Sequence, residues 1–171
     1  MKSKFKFVVA VFLGALFGLS AGAASFRPLD VAEAARWGAT HQIVVEESDL
    51  TDTNTATFSQ VLSNGVIAAN TAIVPVALVL EQPFNINDAT TNAYNTTVVT
   101  VGDSASSNTS FISSTELNQN GTEVYVKLPA VAGKLFTSAA KVTFAFTGMT
   151  NNALSSFTKG RVAFYYREVK P

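Results

Sequence analysis

From His41 to the carboxyl end the sequence is a succession of short segments, each apolar at every second residue or β-branched throughout, and each closed by Gly, Asn or Pro. This pattern limits the fold more than any other feature of the chain. A period of two puts alternate side chains on opposite faces of a pleated strand, and it leaves no stripe at the helical repeat. Strands are expected at 42–46, 55–62, 73–80, 96–101, 109–113, 122–128, 141–146 and 161–169. In 141–146 the inward set is Val142, Phe144 and Phe146. In 161–169, Val162, Phe164 and Tyr166 oppose Ala163, Tyr165 and Arg167. In 122–128, Val124, Val126 and Leu128 share one face and Tyr125 and Lys127 the other. The run IVPVALVL at 73–80 is apolar at every position, so it reads as a strand buried on both faces, with Pro75 at a strand start, an edge or a bulge. Turns are expected at Asn64-Gly65, Gly102-Asp103, Asn120-Gly121, Gly133 and 148–152, and a long surface loop at 87–97.

About eight evenly spaced strands with no second helix of normal length predict an all-β fold, an antiparallel β-sandwich with jelly-roll-like topology. Residues 96–128 read as three strands of one sheet. They are rich in Thr, Ser, Asn and Val, with few charges, which suits one face in the core and the other against something neutral. A solvated face normally carries more Lys and Glu, and uncharged edge strands invite pairing with another chain.

Ahead of this region, LDVAEAAR at 29–36 is the one helical stretch, with Asp30 as cap and Glu33 three residues on, in the spacing of a capping box. Residues 1–24 are expected to form a separate apolar helix. Lys2, Lys4 and Lys6 precede thirteen apolar residues from Phe7 to Leu19, and Ala21-Gly22-Ala23 offers small residues for cleavage before Ala24. This is the form of a secretory signal peptide. The uncharged interval between Lys6 and Arg27 also approaches the length of a bilayer span, so an uncut membrane anchor or an apolar arm used in assembly remain alternatives. The expected organisation is therefore 1–24 leader, arm or anchor, 25–40 short helical linker, and 41–171 β-sandwich.

Charged residues make up 14% of the chain and sum to zero, which removes any broad attraction to nucleic acid. The lack of Cys excludes disulfides, thiolate metal sites and a Cys nucleophile. His41 is the one histidine. It reads as a strand-start residue near the surface. As a general base it would need a Ser and a carboxylate brought to it, and no G-x-S-x-G stretch is present. Glu46, Glu47, Asp49 and Asp52 form a loose acidic group without the calcium-loop spacing, and Asp103 reads as a turn residue before a calcium ligand. A pair of carboxylates across a cleft would suffice for a glycosidase, but no pair is singled out by sequence. Phe164, Tyr165 and Tyr166 read as a core strand with one exposed Tyr, the alternative being a sugar-stacking face. The N-x-[ST] matches at Asn95, Asn108 and Asn120 are what chance gives in a chain this rich in Asn, Ser and Thr. No catalytic, cofactor-binding or metal-binding residue is assigned, and no cofactor or small-molecule substrate is expected.

Several segments together resemble a known family. AARWGATHQIVVEESDL opens the β region. Val99-Thr100-Val101-Gly102-Asp103 follows, then Ser114-Thr115-Glu116-Leu117-Asn118 and Asn120-Gly121-Thr122-Glu123-Val124, and finally KVTFAFTGMTNNALSSFTKGRVAFYYRE. In this order, over 34–168, they resemble small virion structural proteins of tailed bacteriophages. The resemblance implies a non-enzymatic capsid decoration, cement or head-tail accessory protein that acts through self-association and contacts with other virion subunits. A symmetric oligomer would follow, with the 85–97 and 103–110 loops as contact tips. The signal-like start departs from that family. It favours the alternatives: an exported bacterial surface, fibre or adhesin subunit, or a secreted carbohydrate-binding module, with an N-terminal membrane contact. The expected location is the virion, or alternatively the cell surface or medium.

Overall fold

The computed structural model describes residues 24–54, 59–85, 97–117, 125–147 and 153–170. The apolar segment 1–23 lies outside them, as do most of the expected 87–97 loop and the Asn120-Gly121 and 148–152 turns. In chain order the elements are β1 (Ser25–Pro28), α1 (Val31–Trp37), β2 (His41–Glu46), β3 (Ser59–Ile67), β4 (Thr71–Asn85), β5 (Val98–Asp103), β6 (Ser107–Glu116), β7 (Tyr125–Lys127), β8 (Lys134–Phe136), β9 (Ala140–Thr147) and β10 (Lys159–Val169). Single 3-10 turns occupy Glu47–Asp49 and Leu154–Ser156.

The protein is thus mostly antiparallel β with little helix. The strands form two sheets. The first runs β1-β2-β10-β4-β7, with β8 also on β4, and the second runs β3-β9-β5-β6. The long central strand β4 pairs with β10 along one side, while its other side is shared by β8 at Thr71–Ile73 and β7 at Leu78–Leu80. Pro75 falls in the gap between those partners and beside a register shift against β10, where a missing N–H costs no ladder bond.

The expected alternation sets the core. Val142, Phe144 and Phe146 of β9 and Val162, Phe164 and Tyr166 of β10 enter one cluster, with Ile43, Val45, Leu78, Leu80, Val99, Val101 and Phe111, so the two sheets bury their inner faces together. Phe164 links them. Its ring stacks on Phe111 at 5.9 Å and meets Phe144 edge-on at 6.3 Å. Burying each such ring contributes about 1.5–3 kcal/mol.

A second, smaller cluster lies on the outer face of the first sheet. Val44, Ala77, Val79, Ala163 and Tyr165 are covered there by Leu29 and Trp37. The cover is α1, begun by the expected capping box, in which Asp30 accepts from Glu33 N and Glu33 accepts from Asp30 N, and ended by Gly38 in the left-handed region. This is why IVPVALVL is apolar throughout: from Ala77 to Leu80 the strand is buried on both faces.

Three expectations are corrected. Residues 25–40 are not wholly a helical linker, because 25–28 add β1 to the edge of β2. Asn64-Gly65 is not a turn. It is a bulge inside β3, between the pairs Asn64–Val142 and Val66–Lys141, with Gly65 at φ 69° and its backbone pressed against Ile43. The chain reverses at 68–70 instead, using Asn70 at φ 58°. Residues 96–128 do not form three strands of one sheet: β5 and β6 pair in the second sheet, whereas β7 crosses to β4 in the first. There Tyr125 packs on the core while Val126 and Leu128 are exposed at 50% and 71%.

Candidate functional site

Residues singled out by sequence are dispersed. His41 begins β2, partly exposed, sandwiched between the rings of Phe26 and Tyr166 at 5.5 and 5.4 Å. Its Nδ1 lies 2.8 Å from Thr40 Oγ1 and its Nε2 3.7 Å from Glu168. Glu46, Glu47, Asp49 and Asp52 build a turn rather than a metal cage. Asp49 is buried and accepts from Glu46 N at 2.9 Å, and burial pushes its carboxyl up from the usual value. Asp52 accepts from Asn54 N. Gln60 holds the loop from β3, accepting from Thr51 N and Asp52 N and donating to Asp49 O at 2.8 Å. Among the described residues, no group of three His, Cys, Asp or Glu side chains is placed to hold a metal ion. Nor is any helix long and apolar enough to cross a membrane.

Asp103 is a turn residue, and more than that. It is 1% exposed, accepts from Ala105 N and Ser106 N at 2.9 Å, and receives Lys134 Nζ at 2.7 Å. Lys134 also reaches Ser106 Oγ and lies over the Phe136 ring. This joins the β5–β6 turn of one sheet to β8 of the other. The run Phe164-Tyr165-Tyr166 offers no exposed platform, since all three are buried. The expected exposed Tyr is thus not found: Tyr166 lies in the core, and Tyr165, on the outer face, is capped by Trp37 with ring centroids 4.6 Å apart.

Two features of the surface remain. The first is a cleft of about 570 Å³ on the outer face of the first sheet, beside α1. Its floor follows from strand register: Gln42 of β2 lies between Arg27 of β1 and Tyr165 of β10. The helix supplies Glu33, Arg36 and Trp37, and β7 supplies Tyr125. The charges are interlocked. Arg27 donates to both oxygens of Glu33 at 2.5 and 2.6 Å, and this pairing holds the Glu33 carboxyl down at about 2. Arg161 bridges Glu81 at 2.6 Å and Glu46 at 3.0 Å, and Tyr165 Oη donates to Glu81 at 3.0 Å. Burial, with Glu81 next, pushes the Tyr165 phenol up to about 12. Glu33, held ionised by Arg27, is not suited to be the protonated acid of a glycosidase pair.

The second feature is the outer face of the second sheet. Because Val142, Phe144 and Phe146 point inward, register places Thr143, Ala145 and Thr147 on the outer side, with Val61 and Ser63 on one flank and Val98, Thr100 and Gly102 on the other; Val61, Ser63 and Thr147 are exposed, Val98 and Thr100 partly so, and Thr143, Ala145 and Gly102 are buried. None of these is charged. The charges nearest on this face are Lys141 at one corner and Glu116 opposite Val98. Val61 and Val66 of the edge strand β3 are exposed at 50% and 70%. The neutral face expected from sequence therefore belongs to this sheet.

No family model, no curated protein and no solved structure matches the chain.

Proposed function

We propose that this chain is a non-enzymatic structural subunit whose second sheet is covered by other subunits in an assembly. The observation that carries this reading is the uncharged outer face spanning β3, β9 and β5. Interface centres are depleted of charged residues, whereas a free sheet face is normally studded with Lys and Glu. The exposed part of this face is its β3 side, where Val61, Ser63 and Thr147 offer uncharged surface to a partner.

The finer fold reading is a jelly roll. It is supported by the strand orders β2-β10-β4-β7 and β3-β9-β5-β6, in which β2, β3, β4 and β5 alternate between the sheets. That architecture recurs in viral capsid proteins and lectins. With the resemblance over 34–168, it favours a capsid decoration, cement or head-tail accessory role in a phage virion. The signal-like start at 1–24 favours the second reading, an exported surface or fibre subunit.

Light scattering on the purified chain tests the common core of both readings. The expected result is an oligomer that Val61→Arg or Thr100→Arg converts to a folded monomer with unchanged circular dichroism. A wild-type chain that stays monomeric at high concentration overturns it. Mass spectrometry of purified particles and of secreted fractions then separates virion from cell surface.

A further inference from the structure

Asn64 and Gly65 form the one Asn-Gly pair among the described residues, and the bulge in β3 brings their reactive atoms together. In a regular strand the side chains stand perpendicular to the sheet and the peptide nitrogens serve the ladder. Here the register of β3 on β9 passes from Asn64–Val142 directly to Val66–Lys141, so Gly65 has no partner residue on β9. Its N–H donates instead to the neighbouring side chain, at Asn64 Oδ1, over 2.7 Å. Cγ is one bond from Oδ1, so the carbonyl carbon of the side-chain amide lies beside the Gly65 nitrogen. Gly65 has no side chain to block that approach, and it cannot gain one without strain: φ is 69°, and an added Cβ would lie 2.8 Å from Ile43 Cδ1.

We propose that Asn64 is a site of self-modification, deamidating through a succinimide formed with Gly65. The Gly65 N–H gives its proton to hydroxide, the nitrogen attacks Asn64 Cγ, the Cγ–Nδ2 bond breaks and ammonia leaves. Water then opens the five-membered ring. Opening at Cγ gives aspartate. Opening at the backbone carbonyl gives isoaspartate, in which the main chain runs through the former side chain. The balance is one water consumed and one ammonia released, with no oxidant, metal or second enzyme. Asn64 is partly exposed, so water can enter and ammonia can leave. The bulge holds the nitrogen and the carbon together before reaction, which removes part of the ordering that ring closure otherwise requires. The product changes the character of its strand. Ser59–Ile67 carries no charged residue, and either product places a carboxylate there. Isoaspartate also lengthens the backbone at the bulge.

The test is ageing of the full chain at mildly alkaline pH, folded by circular dichroism, with the same chain in urea as reference. Peptide mapping by tandem mass spectrometry follows position 64 separately from Asn120-Gly121, the other such pair in the sequence. Labelling by an isoaspartyl methyltransferase reads the isoaspartate. The expected result is conversion at 64 in the folded chain within about tenfold of the unfolded rate, with isoaspartate among the products. Asn64→Gln keeps a side-chain amide but would have to close a six-membered ring, so label at 64 should vanish while circular dichroism is unchanged. Conversion more than about tenfold slower in the folded chain, which is the protection an ordinary strand gives, overturns the proposal. So does aspartate without isoaspartate, because hydrolysis that bypasses the ring yields aspartate alone. So does label at 64 that persists in Asn64→Gln. These readouts are covalent products of one chain, so they stand or fall apart from the assembly reading.

Discussion

The indole of Trp37 lies on the phenol ring of Tyr165, centroids 4.6 Å apart and planes inclined by 23°. This one stack fastens the seven-residue helix α1, too short to be stable alone, to the outer face of the first sheet. Trp37→Ala should cost about 2–3 kcal/mol in urea unfolding, below the range for a fully buried ring because Trp37 is only half-buried. Tyr165→Phe keeps the ring and loses the bond to Glu81, so about 1 kcal/mol is expected.

Asp103 and Lys134 tie the sheets together, and their removal should be unequal. Asp103→Ala strands the ammonium and two backbone N–H groups, at about 3 kcal/mol or more. Lys134 is a third exposed and can rehydrate, so Lys134→Met should cost about 1–2 kcal/mol. In a double-mutant cycle the pair should cost less than the two single changes added.

Two glycines should respond differently to a methyl group. At Gly160, φ 156°, a Cβ would lie 2.3 Å from the buried Phe84 ring, so Gly160→Ala should destabilise by more than about 3 kcal/mol. At Gly65, φ 69°, the nearest atom is Ile43 Cδ1 at 2.8 Å, the end of a flexible chain, and about 1–2 kcal/mol is expected. Thermal melts of both variants check the order.

Alkaline pH should unfold the protein through its tyrosines. Burial raises the Tyr125 and Tyr165 phenols to about 12, and raises Tyr166 as well, with Glu116, Glu81 and Glu168 acting in the same direction. The folded state thus favours the neutral phenol. Stability from this source is intact below the unfolded value near 10 and falls as pH rises toward 12. Tyrosinate absorbance should therefore appear together with loss of circular dichroism, and a reversible titration near 10 in the folded state for these residues would contradict it.

What could be read from sequence was whatever repeats locally. Val142, Phe144 and Phe146, and Val162, Phe164 and Tyr166, enter the core as their alternation requires, and Asp30 with Glu33 announces the start of α1. Short strands without a period were not readable. Ser25–Pro28 and Lys134–Phe136 become strands only because β2 and β4 present open edges. Sheet membership was also hidden, since β7 resembles β5 and β6 in composition but pairs with β4. The cleft could not be read because Arg27, Gln42, Glu81, Tyr125 and Arg161 come from five strands far apart in the chain. One local signal was available: Gln42 is a polar residue opening QIVV, where the outward neighbour Val44 is apolar.

The last strand in chain order, β10, occupies the middle of the first sheet, hydrogen-bonded to β2 on one flank and β4 on the other. Until it leaves the ribosome, the edges of β2 and β4 that it will join have no other partner and their apolar residues stay open to chance encounters. Residues 159–169 must therefore be made before this sheet can close. A stop codon ahead of Lys159 would not trim the molecule but divide it, leaving two half-sheets with nothing between them.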